Sequence, residues 1–353
     1  MRLLIITQTI DINDPVLGFF YFWVREFAKH CEMVTVICLQ EGNHDFLPSV
    51  KVLSLGKEKG ASKLKYLFNF YKYIWQERGN YDTIFIHMNQ MYVLLGWGIW
   101  RILKKKISLW YAHGHVPFSL RVAEKFLDYI FTSTKSGCRL KSNKIRVVGQ
   151  GIDTDKFLPS VDSKQTKEGG VFKIITVGRI SPVKDYETLI NAVDLLNKKG
   201  VKFKIDIIGG AGLLEQEKYL EDLKIMVVGS GLDSMVNFIG AVPNNDIIDY
   251  LQSSDLFVNM SHTGSLDKTI LEAMSVGLPV LSCNEALLEV LGDYKNKLMY
   301  HKNDFKEFAD KIQFVMGLSE EDRREMGNDL RNLVIDKHSI GNLMKKILKI
   351  MKD

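Results

Sequence analysis

Short apolar runs alternate along the chain with longer stretches in which apolar residues recur every three or four positions. The short runs are typical of buried parallel strands, and the longer stretches are typical of amphipathic helices that cover such strands. The runs lie at 3–6, 34–38, 83–86, 108–111, 129–132 and 145–148, and then at 172–177, 203–208, 236–239, 256–258 and 279–282. The pattern therefore predicts two α/β halves built from β-α-β units.

Helical stretches separate these predicted strands. They cover 18–31, 62–78 and 91–104 in the first half, and 185–199, 213–230, 244–253, 268–277, 304–317 and 319–335 in the second. A polar, glycine-ended segment over 158–170 is typical of a linker between the halves. We therefore expect one domain over 1–165, a second over 166–335, and an amphipathic C-terminal helix within 336–353.

Composition and charge narrow the class of protein. The 353 residues are 46% hydrophobic and 25% charged, which is ordinary for a globular protein. The net charge is +5, but residues 1–160 hold 22 basic and 13 acidic side chains, so the first half carries all of the excess. That imbalance favours a partner that is anionic or membrane-associated.

The cysteines and the apolar runs indicate a location. Cys31, Cys38, Cys138 and Cys283 are scattered and predict neither a disulfide framework nor a zinc site, which fits a reducing cytoplasm. The opening apolar run is too short for a signal peptide, and the longest run, Met91–Trp100, is too short to span a membrane. We expect a cytoplasmic protein.

The segment Val177–Ile190 is the first candidate site. A predicted strand ends at Gly178, the following turn carries Arg179 and Lys184, and a helix begins near Asp185. Two cations beside a helix N-terminus can hold a dianionic group such as a phosphate. The alternative is a surface turn whose two cations are only solvated.

The segment His262–Val280 is the second candidate site. Polar residues follow a predicted strand and enter a short helix, with Thr269 at its N-terminus, where free N–H groups can bind phosphate. Glu272 lies one turn further among apolar residues, and a buried glutamate needs hydrogen bonds, which ribose hydroxyls would supply. The first strand is followed by Gly18 and not by Gly-x-Gly-x-x-Gly, so a Rossmann dehydrogenase is disfavoured. Gly18 could also open a helix without binding any ligand.

The order and spacing of several segments resemble a known family, the glycosyltransferases of group 1 (family 4, retaining, GT-B fold). The resemblance runs from Gly18 to about Ile335, and the segments that carry it are Gly151–Pro159, Gly178–Lys184, Phe238–Gly240, Asp255–Val258 and Leu271–Val280. It implies two Rossmann-like doubly wound domains facing across a cleft. The N-terminal domain would bind the acceptor, the C-terminal domain would bind a nucleotide-diphospho-sugar, and the last helix would pack back on the N-terminal domain.

The resemblance also implies roles for individual residues. Arg179 and Lys184 would bind the donor diphosphate and stabilise it as it leaves. Glu272 would hold the ribose, and His113 would approach the donor sugar. The remaining donor-binding candidates are Gly18 near the diphosphate, Gly178, Gly240, Gly264, Asp267, Lys268 and Thr269.

The chain departs from the family at one position. Eight residues before Glu272 the family usually has a glutamate that touches the donor sugar, and this chain has Gly264. Asp267 or His262 could supply a replacement contact, with Asp267 favoured, and Lys268 could add a phosphate partner. The change leaves open an inactive nucleotide-binding homologue, and a GT-B sugar-nucleotide epimerase is a further alternative.

We therefore expect a retaining glycosyltransferase that moves a sugar from a nucleotide-diphospho-sugar to a saccharide or lipid-linked acceptor, in cell-surface polysaccharide or glycolipid assembly. No cofactor or metal is expected: the pair Asp153 and Asp155 fits a cap and turn, and His115 fits a loop. Nucleic acid is not an expected partner because no recognition motif accompanies the basic residues.

A possible membrane surface is the last feature. Lys63–Trp75 and Trp97–Lys106 mix cations with aromatic rings at helical spacing. Such helices can lie on an anionic membrane, which would make the protein peripheral on the cytoplasmic face. The alternative is an aromatic stripe packed into the core beneath a solvated basic face.

Overall fold

A computed structural model describes residues 1–14, 16–160, 170–244, 246–262 and 264–352. Two compact units share the chain. Unit 1 comprises Met1–Asp153 and Ser339–Asp353, and unit 2 comprises Thr154–His338. Most of the predicted linker over 158–170 lies outside the described residues.

Strands and helices alternate through both units. The strands are β1 (Arg2–Ile10), β2 (Met33–Glu41), β3 (Val50–Ser54), β4 (Thr83–His87), β5 (Lys106–Trp110), β6 (Tyr129–Thr132), β7 (Ile145–Val147), β8 (Phe172–Val177), β9 (Phe203–Ile208), β10 (Val236–Gly240), β11 (Leu256–Asn259) and β12 (Val280–Ser282). The helices are α1 (Gly18–His30), α2 (Lys63–Gln76), α3 (Met91–Ile102), α4 (Phe118–Glu124), α5 (Tyr186–Lys198), α6 (Leu214–Gly229), α7 (Ile247–Gln252), α8 (Lys268–Ser275), α9 (Lys295–Leu298), α10 (Phe305–Gly317), α11 (Glu320–His338) and α12 (Ile340–Lys352). The sequence pattern did not predict β3, α4 or α9.

Within the described residues, unit 1 holds one parallel sheet in the order β3-β2-β1-β4-β5-β6-β7. Side chains alternate across it: Leu3 and Ile5 of β1 point into one core cluster, and Leu4 and Ile6 point into another. Both faces are therefore covered, which is why the strand reads as a continuous apolar run. The strand order reverses between β2 and β4 around β1, which makes the carboxyl end of β1 a switch point where such sheets bind ligands.

The last helix, α12, completes the core of unit 1. Its side chains Leu343, Met344 and Ile347 are fully buried in the cluster that contains Trp23 and Phe27 of α1. Each such side chain contributes roughly 1.5–3 kcal/mol by leaving water. The amphipathic pattern of α12 is therefore used for packing against α1.

Unit 2 has a second parallel sheet, in the order β10-β9-β8-β11-β12 over the part of the unit that the structure describes. The strand order reverses at β8, so the carboxyl ends of β8 and β11 lie side by side at a switch point. The helix α11 packs closely against the turn after α8. A Cβ on Gly327 of α11 would overlap the carbonyl oxygen of Gly277 in that turn. The predicted candidates Arg179, Lys184 and Asp267 follow β8 and β11.

The outward face of α2 exposes large apolar side chains together with lysines. Leu64, Phe68 and Trp75 are 79%, 62% and 52% exposed, whereas Phe70 and Ile74 on the opposite face are buried. The alternative of a core-packed aromatic stripe therefore holds for Phe70 and, in the second segment, for Trp100, which is buried, but not for Phe68 and Trp75. Lysines lie among these rings, with the Lys65 ammonium 5.3 Å from the ring centre of Phe68.

All four cysteines belong to the described ranges, and each is a buried free thiol. Burial raises the pKa of Cys31 and of Cys283 to about 11, so both thiols stay protonated and unreactive at neutral pH. Among the described residues, no helix combines the length and the apolar character needed to cross a bilayer.

Candidate functional site

Three glycines close the carboxyl ends of neighbouring strands in unit 2. Gly178 follows β8, Gly209 follows β9, and Gly240 ends β10. The N–H of Gly209 donates to the carbonyl of Gly240 at 2.9 Å, and the N–H of Gly178 donates to Ile208 at the same distance. Gly209 has φ +154°, and a Cβ there would overlap the carbonyl oxygen of Gly178. This edge of the sheet therefore presents backbone that a ligand can approach closely.

The two predicted cations lie in the turn after β8 but differ in their surroundings. Arg179 is exposed. Lys184 reaches across to the loop after β11, where its Nζ lies 2.7 Å from Oδ2 of Asp267 and 3.3 Å from Oγ of Ser261. Its side chain is 17% exposed, so its charge is partly removed from water. The solvated-turn alternative is therefore wrong for Lys184.

A second pair joins the same two loops. Asp185 accepts from the backbone N–H of Thr188 at 3.3 Å and from its hydroxyl at 2.7 Å, which caps the N-terminus of α5. The oxygen that accepts from the Thr188 hydroxyl, Oδ2, also lies 3.1 Å from Nε2 of His262. Asp185 has φ +49°, a left-handed conformation that few non-glycine residues adopt. Strained backbone held by several contacts is typical of functional loops.

The carboxylate of Asp267 is also hydrogen-bonded to a residue of β11, the strand that precedes its loop. Its Oδ2 also accepts from Nδ2 of Asn259 at 3.0 Å, and Oδ1 of Asn259 accepts from the hydroxyl of Ser282 at 3.2 Å. Asp267 is the N-cap residue of α8, yet its side chain makes no capping hydrogen bond. The carboxylate is therefore directed to Lys184 and not to the helix N-terminus.

Two ionisable side chains near the start of α8, Lys268 and Glu272, are buried or half-buried. Glu272 is 7% exposed, and the Nζ atom of Lys268 is inaccessible to solvent although the residue as a whole is half-buried. Burial raises the pKa of the Glu272 carboxyl, and the positive charges of Lys268 and Lys156 offset part of that rise. Burial likewise holds the pKa of Lys268 well below its usual value, against the opposing effect of Glu272. Thr269, between them in sequence, is half-buried at the start of the helix.

Gly264 is buried and has φ +67°. A residue with a Cβ in the left-handed region costs roughly 1–2 kcal/mol. The backbone conformation of this loop therefore requires glycine at position 264. A glutamate in the same conformation would be strained.

Restoring a glutamate at this position is expected to lower stability. We expect Gly264→Glu to reduce the free energy of unfolding by at least about 1–2 kcal/mol, measured by urea denaturation. Gly264→Ala is the matched control, because it carries the same backbone cost without the carboxylate. A Gly264→Glu protein as stable as the parent, with faster sugar transfer, would contradict this account of the loop.

In unit 1, Gly18 begins α1 in a confined position. A Cβ there would lie 2.9 Å from the carbonyl oxygen of Ile12, and the Gly18 N–H donates to the carbonyl of Asp14 at 3.0 Å. The Asp14 carboxylate in turn accepts from the N–H of Leu17 at 2.7 Å. Close packing in this loop is thus sufficient to require glycine, with or without a ligand.

His113 and His115 follow β5. His113 is exposed, and its Nδ1 accepts from the backbone N–H of His115 at 3.0 Å. The proton of a neutral His113 ring therefore sits on Nε2. The hydroxyl of Tyr111 donates to the carbonyl of His115 at 2.7 Å, which fixes the loop.

Sequence reasoning missed His87. It ends β4 and is 2% exposed, with its ring stacked on Phe20 at 4.1 Å and its Nδ1 3.3 Å from the Thr7 hydroxyl. Thr7 lies in β1, the strand beside β4, so both groups lie near the carboxyl edge of the unit 1 sheet. A polar residue directly after the apolar run 83–86 was the available signal.

Asp153 and Asp155, the acidic pair near the unit boundary, belong to no cluster of metal-ligating side chains among the described residues. Asp155 lies in a turn, and its charge opposes the burial that lowers the pKa of Arg331. Among the residues that the structure describes, no group of three or more His, Cys, Asp or Glu side chains is placed to hold a metal ion.

Comparison with protein families gives a match to the family "Glycosyl transferases group 1" over residues 160–333. These residues, just under half of the chain, are therefore similar to the group 1 glycosyltransferases. The resemblance to the glycosyltransferases of group 1, predicted from the sequence motifs, is confirmed over this part of the chain.

Curated relatives share part of the chain. Mannosylfructose-phosphate synthase of Agrobacterium fabrum is 30% identical over 151 residues, which are 40% of this chain and 33% of that protein. The capsular polysaccharide biosynthesis glycosyltransferase CapM of Staphylococcus aureus is 26% identical over 231 residues, 62% of this chain and 57% of that protein. The matched regions span from one third to just over half of these relatives.

Solved structures share the whole fold. Anabaena Alr3699/HepE in complex with UDP matches with a TM-score of 0.79 and 16% identity, covering 100% of both chains. A glycosyltransferase from Rickettsia africae matches with a TM-score of 0.80 and 16% identity, covering 99% of this chain and 98% of that one. The predicted fold class, GT-B with two Rossmann-like domains, is confirmed.

Proposed function

We propose that this chain transfers a sugar, with retention of anomeric configuration, from a nucleotide-diphospho-sugar to a saccharide or lipid-linked acceptor. The observation that carries the proposal is the position of Lys184 and Arg179 in the turn after β8. This turn lies at the carboxyl edge of β8, β9 and β10, where each strand is followed by or ends in a glycine. An ammonium and a guanidinium there can bind the two phosphates of a donor while the backbone stays accessible.

The chemistry follows from charge. The bond between the anomeric carbon and the diphosphate oxygen breaks, and negative charge accumulates on that oxygen. Lys184 and Arg179 stabilise this charge more in the transition state than in the bound donor, which is how fixed cations accelerate a reaction. The acceptor hydroxyl forms the new bond to the anomeric carbon and gives its proton to the departing diphosphate. We propose no metal and no protein nucleophile.

Glu272 is proposed to hold the ribose. Its side chain is 7% exposed, and hydroxyl donors on a bound nucleotide would supply hydrogen bonds to this largely buried carboxyl group. Gly178, Gly240, Gly264, Thr269 and Lys268 complete the proposed donor site around it. For His113 and Gly18 the proposal rests on the family resemblance.

The relatives support a role in cell-surface polymers. CapM is a capsular polysaccharide biosynthesis glycosyltransferase, and AmsK of Erwinia amylovora, 30% identical over 152 residues, is an amylovoran biosynthesis glycosyltransferase. The Anabaena neighbour was solved with UDP and with UDP-glucose. We therefore propose cell-surface polysaccharide or glycolipid assembly, and UDP-sugars are the first donors to test.

The test is a product assay with UDP-, GDP- and ADP-sugars, with and without a lipid-linked acceptor fraction. Transfer predicts nucleoside diphosphate and a glycosylated acceptor in equal amounts, with the donor's anomeric configuration in the product by NMR. Conversion of the nucleotide-sugar without acceptor would replace the proposal with an epimerase. Binding without turnover of any donor would replace it with an inactive homologue.

We further propose that unit 1 contacts an anionic membrane through the outward face of α2, on the cytoplasmic side. Three large apolar side chains of this face, Leu64, Phe68 and Trp75, are exposed among lysines, and Arg78 lies 4.7 Å from the ring centre of Trp75. Rings at headgroup depth with cations beside them fit a surface of anionic lipid.

Replacing apolar side chains of this face by acidic ones is expected to weaken membrane binding. Phe68→Glu with Trp75→Glu should reduce sedimentation with phosphatidylglycerol vesicles by about tenfold or more, because each side chain loses roughly 1.5–3 kcal/mol of apolar burial. Ile225→Glu with Val228→Glu on α6 is the matched control, since these two are 69% and 66% exposed in unit 2. Equal binding by both double variants would contradict the proposal.

A further inference from the structure

The pair formed by Lys184 and Asp267 poses a question that the proposed phosphate site leaves open. The ammonium that is proposed to bind a diphosphate forms an ion pair with the Asp267 carboxylate at 2.7 Å. Both side chains are mostly buried, with 17% and 15% exposed. A pair of this kind is a larger effect than a surface salt bridge, because removing either partner leaves a poorly solvated charge.

The carboxylate is the fixed member of the pair. Asn259 in β11 donates to the same oxygen at 3.0 Å, and Asn259 is itself oriented by Ser282 in β12. Lys184 by contrast is a long side chain that leaves a short 3₁₀ turn, Pro182–Lys184. The rigid strands therefore place the carboxylate, and the carboxylate places the ammonium.

The ammonium of Lys184 has two acceptors among the described residues. An ammonium has three N–H donors. Asp267 accepts at 2.7 Å, and Ser261 lies at 3.3 Å as a second acceptor. Within the part of the chain that the structure describes, the third donor is available to a phosphate oxygen, so a ligand can bind without displacing the aspartate.

We infer that Asp267 is a positioning residue: it is the resident counter-ion of Lys184, it holds the ammonium at the phosphate site, and it is not a ligand of the donor sugar. The inference rests on the proposed function for the identity of the ligand. It also explains how Asp267 relates to the missing glutamate. The carboxylate three residues after Gly264 serves the phosphate side of the donor, so it does not replace the lost sugar contact.

Removing the lysine alone should therefore be worse than removing both partners. In Lys184→Ala the Asp267 carboxylate is left without its cation and faces the incoming diphosphate with the same sign of charge. We expect Lys184→Ala to weaken UDP binding about a hundredfold. The double variant Lys184→Ala with Asp267→Asn should bind UDP about tenfold more tightly than Lys184→Ala, because the repulsion has been removed.

The experiment is calorimetric titration with UDP of the parent, both single variants and the double variant, with a melting temperature for each ligand-free protein. The ligand-free arm tests the pair by itself: Asp267→Asn should raise the melting temperature of Lys184→Ala. The exposed pair Lys198 and Asp194, joined at 2.6 Å on α5, is the matched control. There Lys198→Ala should change neither UDP binding nor the effect of Asp194→Asn.

The outcomes separate the two levels of the proposal. A double variant that is less stable than Lys184→Ala, or that binds UDP no better, overturns the role of Asp267. A parent that binds no UDP, GDP or ADP overturns the proposed donor site, and the melting temperatures then still decide whether Asp267 is the counter-ion of Lys184.

Discussion

Arg179→Ala is expected to lose sugar transfer by about 100- to 1000-fold while its melting temperature stays at the parent value. Arg179 is exposed at the carboxyl edge of β8, so its removal leaves no cavity and no buried charge. Its proposed role is to bind the donor diphosphate and to stabilise the charge that this group gains as it leaves. The loss should therefore appear in kcat/KM, because both donor binding and the transition state lose a cation.

The control for this variant is Arg324→Ala. Arg324 is also an exposed arginine of unit 2, on α11, outside the proposed site. It should keep full transfer activity and full stability. Arg179→Lys should recover only part of the loss, because an ammonium lacks the two-pronged geometry of the guanidinium. Parent-like activity in Arg179→Ala would remove this residue from the mechanism.

Gly209→Ala is expected to unfold unit 2 or to destabilise it by about 4 kcal/mol or more. Two causes act together. The φ of +154° is open only to glycine, and the added methyl would overlap the carbonyl oxygen of Gly178, which the β8–β9 pairing holds in place. Neither residue can shift without breaking the edge on which the proposed phosphate site is built.

Gly229→Ala, at the end of α6, is the matched control for this prediction. A Cβ there meets open space, and its φ is not positive. It should change the free energy of unfolding by less than about 1 kcal/mol, in either direction. Both variants are compared by circular dichroism during urea denaturation. Equal stability of the two would show that the glycine edge is not a packing constraint.

The sequence predicted most strands of both units because parallel strands buried on two faces read as unbroken apolar runs. Its failures have physical reasons. β3 has the sequence Val-Lys-Val-Leu-Ser and lies at the sheet edge. None of its residues is fully buried there, so its apolar pattern is weak. α4 has only seven residues, too few for helical periodicity to emerge.

The hydrophobic pattern also did not predict which side of α2 faces the core. Aromatic residues lie on both sides of this helix, with Phe70 buried and Phe68 exposed, so spacing alone does not say which side faces the core. Tertiary packing against β2 decides it.

The candidate site was predictable as residue types and not as contacts. Gly178, Arg179 and Lys184 follow a recognisable strand, so their place at the carboxyl edge could be predicted. The bond between Lys184 and Asp267 joins residues 83 positions apart, and no local pattern contains it. His87 was missed because a histidine that ends a buried strand looks like part of the strand.

The central claim is that unit 2 binds a nucleoside diphosphate through the turn after β8. The most direct measurement is a thermal-denaturation panel of UDP, GDP, ADP and CMP on the parent and on Arg179→Ala. One diphosphate at a hundred times its Kd should stabilise the parent by about 2.7 kcal/mol, and the variant should lose this gain. An equal gain in the parent and in Arg179→Ala, or no gain with any nucleotide, would contradict the claim.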